Sequence, residues 1–224
     1  MPKVSDMLAS FKLPNLTPEE WEANDREVDA WRAAEEERER AMRVVRSGIP
    51  ERFRKADVAL CDDRVRGYAS GSLGNGLLLQ GTFGSGKTYA ACAVMISRLG
   101  EATHGRPLTA RFVTMDDLLR ECRATFNGYD TEDAVVDRYA NAGVLCIDDL
   151  GKERLTEWSL PILFSIINRR YERSKPTIIT TNYRGIDLLR CMTVNGDDTT
   201  AKAIISRMAT YERIELDMTD RRIA

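Results

Sequence analysis

The sequence predicts an α/β fold, a parallel sheet covered by helices on both faces. Three observations predict it. Short apolar runs alternate with longer helical patterns from Leu77 onward, the order that builds a parallel sheet. A complete GxxxxGK[ST] motif, Gly81-Thr82-Phe83-Gly84-Ser85-Gly86-Lys87-Thr88, stands between such a run and a helical pattern. The run Val144-Leu145-Cys146-Ile147 ends in two carboxylates, Asp148 and Asp149.

The elements follow in order. Thr17-Pro18-Glu19-Glu20 reads as a helix start, with an N-cap, a proline at the first helical position and a glutamate at the third. Trp21, Val28, Trp31 and Ala34 recur at roughly helical spacing, and Gly48-Ile49-Pro50 ends the helix. Residues 1–50 hold 8 basic and 11 acidic side chains, a net of −3 against −2 for the whole chain. This break in composition divides the chain into a helical arm, 1–48, and a main domain, 49–224. Two tryptophans on so charged a helix point to a partner-docking role for the arm. Leu77–Gln80 reads as a buried strand, Lys87–Leu99 as a helix and Ala110–Thr114 as a strand. Asp116–Thr125 and Thr131–Ala142 read as helices. After the strand at Val144 come a helix over Thr156–Arg173, a strand over Pro176–Thr181, two short helices at Ile186–Cys191 and Thr199–Met208, and a last strand at Arg213–Leu216.

Composition narrows the function. Of 224 residues 43% are hydrophobic and 30% charged, enough for a core and too apolar for wholesale disorder. A net charge of −2 excludes a globally basic nucleic-acid coat but not a local basic patch. No apolar run is long enough to span a membrane, and the first residues lack the apolar stretch of a signal peptide. The 5 cysteines form no CxxC pair, which fits a reducing, cytoplasmic setting and, with a single histidine, argues against a structural zinc site.

The glycine-rich motif carries the chemistry. Its glycines let backbone N–H groups curl around phosphate oxygens, and the following helix adds the partial positive charge of its N-terminus. Lys87 is expected to bridge the terminal phosphates and the Thr88 hydroxyl to bind Mg2+. A carboxylate at the C-terminal end of the Val144–Ile147 strand can reach the same metal shell, which assigns Asp148 to Mg2+ and Asp149 to the attacking water. Asn182, after the strand Thr177–Ile179 and Thr180-Thr181, is placed to hold that water or the γ-phosphate.

The runs Ile147-Asp148-Asp149-Leu150-Gly151, Thr156-Glu157-Trp158, Ile166-Ile167-Asn168-Arg169-Arg170-Tyr171-Glu172 and Pro176-Thr177-Ile178-Ile179-Thr180-Thr181-Asn182 resemble a known family, the AAA+ ATPases of the DnaC/IstB type. Ile49-Pro50-Glu51-Arg52-Phe53 shares that look, and the likeness covers about residues 49–210. The resemblance implies a P-loop NTPase core of the AAA+ type that hydrolyses ATP with Mg2+. It implies an arginine finger in Ser206-Arg207-Met208, acting on the ATP of a neighbouring copy, and hence self-association through ATP interfaces. It places a sensor-2 arginine at Arg221 or Arg222, of which Arg222 is the candidate nucleotide contact. The short stretch after Asn182 implies a reduced lid.

Two departures from the family stand out. Asp149 occupies a position where most AAA+ enzymes carry glutamate, which implies slow hydrolysis, dependent on assembly or DNA. The N-terminal region lacks the cysteine-rich module of some loaders. The resemblance also implies single-stranded DNA contacts. The candidates are Arg123 and Phe126 before the Asp-Asp strand, with Lys152, Arg154 and Trp158 after it, aromatics beside cations as sequence-tolerant binding requires. The implied function is an ATP-dependent loader, of a phage or prophage kind, that places a hexameric DnaB-type replicative helicase on single-stranded DNA. The alternative is an IstB-type transposition helper that recruits a transposase.

Overall fold

The computed structural model describes residues 17–71, 76–99, 102–103, 106–128 and 130–216. The chain divides into two compact units, one ending at Ala41 and one beginning at Met42. Helix α1 (Pro18–Arg46) starts in the first unit and finishes in the second. Trp31 on α1 is largely exposed, and the side chain of Trp21 lies outside the described ones. The division falls upstream of the composition break at Gly48. Val44, Ser47 and Ile49 are buried in the second unit, and the Ser47 carbonyl accepts the Phe112 N–H at 2.7 Å.

The second unit is built on a parallel five-stranded sheet in the order β4-β5-β6-β1-β7. Its strands are β1 (Gly76–Gln80), β4 (Ala110–Thr114), β5 (Val144–Leu150), β6 (Thr177–Thr181) and β7 (Glu212–Glu215). A two-stranded hairpin, β2 (Ala102–Thr103) and β3 (Arg106–Pro107), lies outside that sheet. Side chains of successive strand residues go to opposite faces, so each buried strand feeds two cores. Leu78, Val113, Leu145, Ile147 and Ile179 enter one core. Leu77, Leu79, Phe112, Val144, Cys146 and Ile178 enter the other.

The first core is closed by α4 (Met115–Ala124), α5 (Glu132–Asn141), α6 (Ser159–Glu172), α7 (Gly185–Met192) and α8 (Thr199–Met208). The second is closed by α2 (Asp63–Ser70), α3 (Lys87–Leu99) and the segment before α2. Every sheet strand and every helix expected from residue 76 onward is present. Helix α2, the hairpin and the 3-10 turns at Glu51–Phe53, Val58–Leu60 and Thr125–Asn127 were not foreseen. They are short, and a short segment carries too few residues to display a period.

Local chemistry sets the helix starts. Thr114 accepts the Asp117 N–H at 3.1 Å and Thr131 accepts the Ala134 N–H at 3.1 Å; such caps stabilise by about 1 kcal/mol each. Helix α6 begins at Ser159, not at the expected Thr156. The two hydroxyls exchange bonds with each other's backbone N–H groups, at 2.8 and 3.2 Å, and so occupy the turn before the helix.

Arg170 is fully buried and, among the described residues, has no carboxylate partner. It donates instead to the carbonyls of Tyr139 (3.0 Å) and Ala142 (2.7 Å) at the end of α5, to that of Pro176 (2.5 Å), and to the Thr177 hydroxyl (2.8 Å). A cation against the last carbonyls of a helix also meets the negative end of its dipole. Burial lowers its pKa to about 10, which leaves it charged at neutral pH. This one side chain ties α5, α6 and β6 together. Among the described residues, no helix is long and apolar enough to cross a membrane.

Candidate functional site

At the C-terminal ends of β1, β5 and β6 lies a cleft of about 540 Å3. It is lined by Phe83, Gly84, Gly86, Lys87 and Thr88 of the glycine-rich loop, by Asp149 and Lys152, and by Asn182. The loop needs its glycines for space. A Cβ on Gly81 would lie 2.7 Å from the Leu216 carbonyl oxygen and 2.8 Å from Ser85 Oγ, and Gly84 and Gly86 both adopt positive φ. Lys87 Nζ, on a nearly buried side chain, donates to the carbonyls of Gly81 (3.0 Å) and Thr82 (2.7 Å). The loop thus closes around its own cation.

The two carboxylates occupy different environments. Asp148 is buried, and its oxygens accept the Thr88 hydroxyl at 3.1 Å and the Thr180 hydroxyl at 2.6 Å. Burial raises its pKa, as does the neighbouring Asp149, while the Thr180 and Thr88 hydrogen bonds and Lys87 oppose the rise. Asp149 was expected, with Asp148, at the end of a strand. It sits near the end of β5, at a break in the β5–β6 register between Ile147 and Leu150 that the pattern did not show, with φ of +59°. This bulge swings its carboxylate into the cleft. Its N–H donates to the Thr180 hydroxyl at 2.9 Å, which fixes the bulged backbone. Lys152 Nζ lies 3.7 Å from Asp149 Oδ2.

Two buried polar atoms have no hydrogen-bond partner among the described residues of this site, Ser85 Oγ in the loop and Asn182 Oδ1. An unpaired buried polar atom costs about 1–3 kcal/mol. One in the tight loop and one just after β6, in a site that also holds Lys87, they fit a phosphate group with its metal and water. Thr88 and Asp148, already in contact, are oxygen donors of the kind that could hold Mg2+.

The cleft extends over residues the sequence reading had not assigned: Arg52, Phe53, Leu60 and Tyr89. Phe53 and Tyr89 meet edge to face at 6.5 Å, the Arg52 guanidinium stands 4.7 Å from the Phe53 ring centre, and the Tyr89 hydroxyl accepts the Asp57 N–H at 3.1 Å. The visible signal was the Arg52-Phe53 pair, which lacked a partner until folding brought Tyr89 to it. Burial, then Asp148, pushes up the thiol pKa values of Cys92 and Cys146 behind the site, so both are packing groups and not nucleophiles.

The other expected residues divide into groups. Arg123, Phe126 and Trp158 come together: the two rings are 5.8 Å apart, and the Arg123 guanidinium is 5.4 Å from the Trp158 ring centre. The Trp158 indole N–H donates to Glu132 at 3.0 Å, which leaves Phe126 as the exposed ring. Lys152 lies in the cleft with Asp149, apart from that cluster, and Arg154 is exposed. Arg207 lies on α8 against α6 and is not part of the cleft wall. Arg221 and Arg222 lie outside the described residues.

A parallel sheet with its phosphate loop between β1 and α3, and paired acids on β5, separated from β1 by β6, defines a P-loop NTPase fold of the AAA+ type. The chain belongs to the IstB-like ATP binding protein family, whose model matches residues 71–216. It is similar to the replicative helicase loader DnaI of Bacillus subtilis (strain 168), at 25% identity over 122 residues, which are 54% of this chain and 37% of that protein. It is also similar to the replicative helicase loader DnaC of Buchnera aphidicola subsp. Baizongia pistaciae (strain Bp), at 28% identity over 116 residues, 50% of this chain and 45% of that one. The matched part therefore spans less than half the length of either relative. A crystal structure of DnaI shares the fold, with a TM-score of 0.62 at 22% identity over 77% of this chain and 94% of that one.

Proposed function

We propose that this protein is an ATP-dependent loader that places a hexameric DnaB-type helicase on single-stranded DNA, in the cytoplasm, and works through assemblies of its own copies. One observation carries the reading. A cleft furnished for phosphate and water stands in the same domain as an exposed aromatic ring backed by a cation, in a chain similar to two helicase loaders. Bound Mg·ATP supplies the reactive phosphoryl group. Lys87 leaves the carbonyls of Gly81 and Thr82 and offsets the charge of the terminal phosphates. Thr88 and Asp148 hold the metal. Asp149 polarises the lytic water that Asn182 orients, and Arg207 of a neighbouring copy meets the charge that builds in the transition state. Arg123, Phe126 and Trp158 stack and neutralise single-stranded DNA, with Arg154 as a peripheral cation. Lys152 stands in the cleft beside Asp149 and contributes its charge there.

Affinity capture with a purified DnaB-type helicase tests the reading. ATP-dependent co-purification with the helicase, together with ATP-dependent binding of a labelled single strand, is expected. Capture of a transposase and not of the helicase would replace the loader with the transposition helper.

A further inference from the structure

The run Asn168-Arg169-Arg170-Tyr171-Glu172 has so far yielded a role for Arg170 alone. Its other members lie on α6, where this helix packs against α8. Arg207 Nε donates to Asn168 Oδ1 at 2.6 Å, and Asn168 Nδ2 donates to Glu172 Oε1 at 2.8 Å. The two bonds require the same orientation of the amide, so the amide is locked from both sides. The Arg207 guanidinium lies 4.7 Å from the Phe164 ring centre and 6.0 Å from that of Tyr171, and Nη1 donates to the Ala203 carbonyl at 2.9 Å.

These partners are all neutral acceptors or ring faces. Arg169 of α6 pairs with Asp133 and Asp137, and Lys202 of α8 with Asp198. Among the described residues no carboxylate lies within ion-pair distance of Arg207, and its Nη2 makes no hydrogen bond. The guanidinium is therefore fixed in direction while its charge stays uncompensated. An aspartate at position 168 would hold it equally well but would also neutralise it.

We propose that Asn168 is a positioning residue for Arg207. Braced by Glu172, it holds the guanidinium by Nε and leaves the Nη2 edge for the γ-phosphate of ATP bound by a second copy of this chain. The inference rests on the reading of Arg207 as a finger acting in trans. A misplacement of about 1 Å at a reacting centre costs on the order of 10²-fold in rate. Asn168→Ala is accordingly expected to lower kcat by roughly 10- to 100-fold, with ATP affinity unchanged.

The experiment compares the full chain with Asn168→Ala, Arg207→Ala and the double variant, measuring kcat, KM for ATP and the affinity for a fluorescent ATP analogue. The double variant should be no slower than Arg207→Ala alone, because Asn168 acts only through that side chain. Asn168→Asp, which keeps the shape of the side chain, should also be slow with intact ATP affinity, and it carries the test if the alanine variant does not fold. Wild-type kcat in the Asn168 variants beside a crippled Arg207→Ala overturns the positioning role and leaves the finger standing. Independent, multiplying losses in the double variant overturn it as well. Wild-type turnover by Arg207→Ala overturns the finger itself.

Discussion

Thr180 donates its hydroxyl to Asp148 across two neighbouring strands at 2.6 Å. The same oxygen accepts the N–H of Asp149 at 2.9 Å. A single side chain on β6 therefore orients the expected metal ligand and holds the bulge that carries the expected water-polarising group. Outer partners of this kind typically cost 10–100-fold in metal affinity or activity when removed. Thr180→Val keeps the size and branching and deletes both bonds. The Mg2+ concentration that half-saturates nucleotide binding is expected to rise about tenfold, with little change in metal-free nucleotide binding. Titration of a fluorescent ATP analogue with Mg2+ checks this, and an unchanged Mg2+ requirement would remove Thr180 from the site.

Arg207→Ala and Lys87→Ala are each expected to lose hydrolysis for different reasons. The first keeps its phosphate loop and should bind ATP nearly as well as the parent. The second loses the buried cation that now bonds Gly81 and Thr82, and tight ATP binding with it. Fingers supplied by a neighbour are worth about 10³–10⁵ in rate in the best-studied cases; a smaller loss is expected here if the short arm of Asp149 also slows water activation. Mixing the two inactive proteins should restore part of the activity, to a level that rises with concentration. No recovery at any mixing ratio would count against action in trans.

Phe126 is about two-thirds exposed at 68% and rests on Trp158. Its loss should cost little stability. Base stacking on an aromatic side chain is worth about 1–3 kcal/mol per base. Phe126→Ala should thus weaken single-stranded DNA binding by roughly 5- to 100-fold and leave ATP affinity unchanged. Fluorescence anisotropy with a labelled oligonucleotide measures the change, and equal affinity would make the cluster ordinary surface packing.

Removal of residues 1–41 is expected to leave a folded, nucleotide-binding domain that no longer captures the helicase. Removal of residues 1–48 is expected to be worse. It strips Val44 and Ser47 from the core and deletes the carbonyl that pairs with the edge strand at Phe112. Thermal unfolding of the two truncations should show the second at least several degrees lower, since burying one Val side chain contributes about 1.5–3 kcal/mol. Equal melting temperatures would mean that residues 42–48 add nothing to the domain.

The sequence alone determined the layers of this protein and the place of its phosphate loop. Buried parallel strands write themselves as apolar runs, and a loop that must wrap phosphate can be made of few residues other than glycine, so β1, β5, β6 and the Gly81–Thr88 loop were legible from local pattern. The helices after Thr114 and Thr131 were legible to within a residue, though the capping roles of those threonines were not read. Three-dimensional structure alone decided the features that join distant positions. The bulge at Asp149 depends on a threonine in another strand, and the wall of Phe53 and Tyr89 joins two segments with no shared period. Lys152 was grouped with DNA contacts by its neighbours in sequence, yet its side chain reaches Asp149 in the cleft. Arg207 was marked as a finger by resemblance alone; that Asn168, Phe164 and Tyr171 lie beneath it is a result of packing. A local pattern records which way one segment faces; only packing records what another segment brings to meet it.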